Sequence, residues 1–104
     1  MKMLQVTMVR IYLTEAQKLI DTLLKRLHDW EKVRGVTVFR GISGFGRSGV
    51  MHSSKLLDMS LDLPVIVEFF DEPDKVASIL EHLSSMIDPG HIVSWPAELM
   101  IDDN

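Results

Sequence analysis

Apolar positions along this chain recur with two periods, about two residues in some stretches and about 3.6 in others, the marks of strands and helices respectively. From Lys2 to Tyr12 they alternate, with Leu4, Val6 and Met8 on one face and Met3, Thr7, Val9 and Ile11 on the other, which predicts a first strand. Thr14 and Gln17 then have the spacing of a capping box. Ala16, Leu19, Ile20, Leu23, Leu24, Leu27 and Trp30 follow at helical intervals, so a first helix is expected to run to about Arg34. Lys32 and Arg34 suit the negative end of its dipole, and Gly35 is the natural stop. A second strand, Val36 to Ile42, begins at once.

The stretch from Ser43 to Ser60 has no clean period and reads as a long loop, with a short helical turn conceivable near Ser53 to Met59. A third strand, Leu61 to Phe70, sets Leu61, Leu63, Val65, Val67 and Phe69 against Asp62, Pro64, Ile66, Glu68 and Phe70, so both faces carry large apolar groups. Asp71 or Glu72 can cap a second helix with Pro73 in its first turn. Its stripe is Val76, Ile79, Leu80, Leu83 and Ile87, and it ends before Asp88-Pro89-Gly90. The last strand runs from His91 to Ile101; Pro96 cannot donate to a ladder and so favours a sheet edge or a bulge.

The order β-α-β-β-α-β predicts an α+β, ferredoxin-like sandwich with both helices on one face of the sheet. In a monomer the other face would be polar. Ile66, Phe70 and the second apolar row of strand one make it apolar instead, and burial against further copies of the chain is the simplest remedy.

At 104 residues the chain amounts to one domain, taken as residues 1–104, and 46% hydrophobic with 25% charged residues is ordinary for a globular fold. No apolar run approaches the roughly 20 residues that cross a bilayer, and the start lacks a secretory apolar stretch, so a cytoplasmic protein without direct membrane insertion is expected. Zero cysteines exclude disulfides, thiolate nucleophiles and cysteine-ligated metals. A net charge of −4 argues against a broad nucleic-acid face, while leaving room for a local anion site.

Candidate chemistry concentrates in the glycine-rich loop and the strand before it: Arg40, Gly41, Gly44, Phe45, Gly46, Arg47, Gly49 and His52. Gly44 to Gly49 fits the letters of G-x-G-x-x-G, with Asp71 at a suitable distance, yet no long helix follows to aim amides at a pyrophosphate, so a dinucleotide fold is rejected. No G-K-[ST] follows either. Arg40 and Arg47 can meet phosphate or carboxylate, and the glycine amides can add hydrogen bonds; alternatively Arg40 pairs with a neighbouring acid and the glycines merely permit a turn. Phe45 can stack on a base or pack into another subunit. His28, His52, His82 and His91 lack the i, i+4 spacing of helical metal ligands, so neither a metal nor a cofactor is expected. His52 with Ser53 or Ser54 and Asp58 would supply triad residue types, but nothing beyond type supports catalysis.

Gly35-Val36-Thr37-Val38-Phe39-Arg40-Gly41-Ile42-Ser43-Gly44-Phe45-Gly46, then His52, Leu56-Leu57, Ser60-Leu61-Asp62-Leu63-Pro64-Val65-Ile66-Val67 and Asp71, resembles the signature of the PII-like family of domain of unknown function 190. The resemblance is close from Gly35 to Asp71 and looser over the remainder. It implies a ferredoxin-like subunit of a homotrimer, no known reaction, and a regulator that holds small effectors in clefts between subunits and touches a protein target through the 43–60 loop. On that resemblance Arg40, Gly41, Gly44, Phe45, Gly46, Arg47 and His52 are the expected ligand-binding residues. Nucleotide-binding PII relatives typically carry Gly and basic residues between the second helix and last strand. Asp88-Pro89-Gly90-His91 has no Lys or Arg, which disfavours a full triphosphate and leaves a smaller adenine nucleotide or another anion open. Family members often occur beside fluoride-exporter channels of the CrcB type, which makes a membrane transporter a candidate target. The alternative is a ligand-independent interaction module.

Overall fold

Strand β1 (Lys2–Thr14) lies inside a four-stranded sheet, paired with β5 (Pro64–Asp71) on one side and β6 (Ile92–Ile101) on the other, while β2 (Gly35–Arg40) extends the sheet beyond β5. All three pairings are antiparallel, in the order β2-β5-β1-β6. Between β2 and β5 sits a two-residue ribbon, β3 (Ser43–Gly44) with β4 (His52–Ser53). The structure is a computed structural model that describes residues 1–46, 49–53 and 62–103, and of His52 and Ser53 the backbone alone.

Register assigns the faces. Val9, Ile11 and Leu13 of β1 and Val65, Val67 and Phe69 of β5 share one side, where they are buried against Leu23 and Leu27 of the first helical segment and Val76, Ile79 and Leu83 of α2 (Pro73–Leu83). Each such side chain taken fully out of water contributes about 1.5–3 kcal/mol, so this single cluster is the main source of stability. The strand alternation and the apolar stripe of the second helix were both legible in the chain. Pro96 falls on β6, an edge strand, as its missing donor predicts.

The first helix departs from expectation. The Gln17 side chain does accept the Thr14 amide at 2.7 Å, but the pair closes only a 3₁₀ turn, Glu15–Gln17. The amides of Glu15 and Ala16 are taken by the Leu63 carbonyl (3.0 Å) and the Asp62 carboxylate (2.8 Å), so they face the entry to β5 rather than a ligand or solvent. Lys18 turns left-handed (φ 55°), and α1 starts afresh at Ile20–Lys25, running into a π turn, Arg26–Trp30. Its stop is not Gly35. Lys32, just past the π turn, adopts the left-handed conformation (φ 53°), and the Val33 amide reaches back six residues to the Leu27 carbonyl at 3.2 Å, one residue further than in a Schellman motif. Gly35 instead belongs to β2, where a Cβ would stand 2.8 Å from the Phe70 ring. Trp30, placed in the helical stripe by its spacing, is exposed.

Part of the expected long loop is regular, since Ser43 and Gly44 pair with Ser53 and His52. Ser53 therefore lies in a strand rather than a helical turn, and the remainder of the suggested turn, with Arg47, lies outside the described residues. Glu72 rather than Asp71 caps α2, and Pro73 takes the first helical position.

Candidate functional site

At the end of the sheet where β1 finishes and β5 and β6 begin, a cleft of about 810 Å³ opens. One wall is the Tyr12–Thr14 stretch with Gln17; another is Pro64, Val65 and Ile66; His91 closes the side of β6, and Gly41, Ser43, Gly44, Phe45 and Gly46 form the roof. Antiparallel pairing explains why these residues meet: Thr14 lies opposite Pro64, and Ile11 opposite Ile92, so the end of β1 is flanked by the starts of two strands distant in sequence.

Gly41 is required where it stands. A Cβ there would lie 2.8 Å from Pro64 Cγ and 3.3 Å from the Pro64 carbonyl, to which the Gly41 amide donates at 2.7 Å. Gly46 has open space around it, and its carbonyl accepts the Gly49 amide at 2.9 Å. Phe45 is 69% exposed.

Two polar side chains of the cleft are fastened to β1. Gln17 is held through its oxygen on the Thr14 amide. The His91 ring lies with Nδ1 2.9 Å from the Tyr12 carbonyl, while the Tyr12 amide donates to the His91 carbonyl at 2.8 Å. A carbonyl only accepts, so Nδ1 carries the hydrogen. The described lining contains no Asp, Glu, Lys or Arg.

Of the residues expected to bind ligand, the cleft brings together Gly41, Gly44, Phe45 and Gly46. Arg40 stands apart from it, its guanidinium paired with Glu15 just past β1, and is itself well exposed. The His52 backbone pairs with Gly44 but is not part of the described lining of the cleft; its side chain, like Arg47, is outside the described residues. Tyr12, Thr14, Gln17, Pro64 and His91 were missed as site residues. In the sequence Gln17 reads as a cap and His91 as the first residue of the last strand, and no local pattern reveals that positions 17 and 91 meet. Among the described residues no group of three His, Asp or Glu side chains could hold a metal ion.

Asp71 anchors the opposite end of β5. It is buried, its carboxylate accepting the amides of Glu72 (2.8 Å) and Arg34 (3.1 Å) and the Lys75 ammonium (2.9 Å). Burial pushes its pKa up, but the Lys75 hydrogen bond and charge and the two amides outweigh it and hold the carboxyl below the usual carboxylate range. On the helix-free face Arg10 donates to Glu68 at 2.8 Å and lies between the rings of Phe39 (5.9 Å) and Trp95 (5.6 Å).

The sequence profile of the DUF190 family, described as "Uncharacterized ACR, COG1993", matches residues 6–99. The chain belongs to this family. A UPF0166 protein of Aquifex aeolicus (strain VF5) is 31% identical over 74 residues, 71% of this chain and 75% of the relative, and UPF0166 protein MJ1524 of Methanocaldococcus jannaschii is 32% identical over 93 residues, 82% of each. A further Aquifex aeolicus UPF0166 protein matches at 39% identity over 51 residues; this chain spans about half its length, 49%. Among solved structures, CPII of Thiomonas intermedia K12, bound to ADP and bicarbonate, superposes with a TM-score of 0.63 at 23% identity, over 96% of this chain and 91% of that one. A putative PII-like signaling protein of Thermus thermophilus, TTHA0516, gives 0.65 at 14% identity, over 97% and 93%. The chain therefore has the PII-like, ferredoxin-like fold. No described helix is long and apolar enough to cross a membrane.

Proposed function

We propose that the chain is a PII-like sensor rather than a catalyst, working as a homotrimer that binds a small anionic ligand of the ADP class in clefts between subunits. The observation that carries this reading is the cleft of about 810 Å³ at the foot of the glycine-rich segment, roofed by Gly41, Gly44, Phe45 and Gly46. Two further facts support it. The helix-free face is apolar, with Tyr12, Phe39 and Val93 exposed on it, as expected of a surface that other copies cover. CPII, which shares the fold, has been solved with ADP and bicarbonate.

Phosphate charge would be met from outside the described lining, by Arg40 exchanging Glu15 for the ligand and by Arg47. Arg40 is 69% exposed, so its pair with Glu15 costs little to break. Ligand binding would then change how the 43–60 segment meets other proteins, and so which one the trimer engages, a population shift. The family resemblance makes a membrane transporter one candidate target.

Calorimetric titration with ADP tests the sensor. Saturable binding is expected, with a stabilisation of about 2.7 kcal/mol at a hundredfold excess over Kd, weakened in Arg40→Ala. Silence across ADP, AMP and bicarbonate would favour the second reading, a ligand-independent docking module, which the pairing of Arg40 with Glu15 otherwise supports.

A further inference from the structure

We infer that Gln17 and His91 are the specificity-determining residues of the cleft, reading the amino edge of an adenine ring. The inference rests on the proposed adenine-nucleotide sensor and names which of its residues choose the base. Both side chains line the cleft, and each is oriented by a bond to the same short stretch of β1. A backbone amide can only donate, so the Gln17 atom 2.7 Å from the Thr14 nitrogen is the oxygen, and its NH₂ group is the end left to face an occupant as a donor. With Nδ1–H committed to the Tyr12 carbonyl, the neutral His91 ring presents a bare Nε2, an acceptor.

The cleft thus offers one fixed donor and one fixed acceptor against described walls that carry no charged side chain. Such a pair recognises a neutral ring edge bearing an acceptor beside a donor, and adenine has this edge in a ring nitrogen next to its exocyclic amino group. The Gln17 NH₂ would donate to the ring nitrogen and the adenine amino group to His91 Nε2. Phe45, exposed beside them, supplies an aromatic face for the ring. Because both readers are pinned before any ligand arrives, little side-chain freedom is lost on binding, and a base lacking either partner group leaves a polar atom unpaired.

Two variants keep the anchors and remove the readers. In His91→Asn the amide nitrogen occupies the place of Nδ1 and can still donate to Tyr12, while nothing stands at Nε2. In Gln17→Glu one oxygen still accepts the Thr14 amide, and the donor becomes an acceptor. Calorimetry on the intact chain should give ADP about a tenfold advantage over its analogue with unsubstituted purine, and His91→Asn should bring that ratio close to one with the ligand-free melting temperature unchanged. Gln17→Glu should weaken ADP and uncharged adenosine alike, by about tenfold or more, whereas mere charge repulsion would fall on ADP alone. If the wild type binds ADP but the ratio survives in His91→Asn and adenosine binding survives in Gln17→Glu, this assignment is overturned and the sensor stands. If the wild type does not bind ADP, both fall together.

Discussion

Asp71 is the buried charge on which two connections depend. Its carboxylate ties the approach to β2, through Arg34, to the first turn of α2, through Glu72 and Lys75, and removing it would leave those donors facing a group that cannot accept equally. Asp71→Asn is expected to cost about 1–3 kcal/mol in stability at neutral pH, read from denaturant unfolding. The pH sign follows from the lowered pKa. The stabilisation is fully present above the unfolded-state value of about 3.9 and is lost as pH falls through the folded value, so wild type and Asp71→Asn should converge in stability in strong acid. A constant gap between the two down to that range would show that the carboxylate charge is not what stabilises. Glycines at the cleft divide in the same way. Gly41→Ala forces a Cβ against the rigid Pro64 ring and should cost about 1–3 kcal/mol as well as weaken ADP binding, while Gly46→Ala, in open space, should stay within about 0.5 kcal/mol.

The helical segment before β2 illustrates how an element's bounds escape a periodic pattern. Thr14 with Gln17 carries a correct capping signal, yet the approach to β5 supplies competing acceptors in Leu63 and Asp62, and the turn is fastened to the ends of the two central strands before α1 begins. At the other end, Lys32 occupies the left-handed position that follows the helical segment, a place where glycine is normally preferred. Lys32→Gly is therefore expected to stabilise the fold by about 1 kcal/mol in denaturant unfolding, offset in part by the greater freedom of glycine in the unfolded chain. A fall in stability would mean that the Lys32 side chain contributes more than its backbone costs. Gly35, the apparent stop, is needed for a different reason, the close approach of Phe70 from the neighbouring strand.

Across the sheet, the face away from the helices carries Leu4, Met8, Tyr12, Phe39, Ile66, Phe70, Val93, Trp95 and Leu99 by register, with the Arg10–Glu68 pair set among them. Such a surface in water is costly at about 25 cal/mol per Å² of apolar area, and assembly is its simplest relief. Light scattering should find a trimer for the wild type, and Ile66→Glu, which adds a charge beside Tyr12 and Phe39, should shift the population to monomer with the secondary structure retained. A well-folded wild-type monomer at micromolar concentration would remove the proposed intersubunit clefts and the proposed sensor with them.

The strands, the second helix, the edge placement of Pro96 and the apolar character of both sheet faces were legible along the chain, because each depends on a local period or on a backbone group that proline lacks. The irregular backbone of Gly41, Phe45 and Gly46 was legible for a similar reason, since closely spaced glycines suit no regular element, whereas Gly44 joins a two-residue ribbon. The break at Lys18, the partner of Arg40 and the arrival of Gln17 and His91 in one cleft were decided by the fold. Each depends on an acceptor or carboxylate that long-range strand pairing brings near from another element, and a one-dimensional pattern holds no information about which distant group will be nearest.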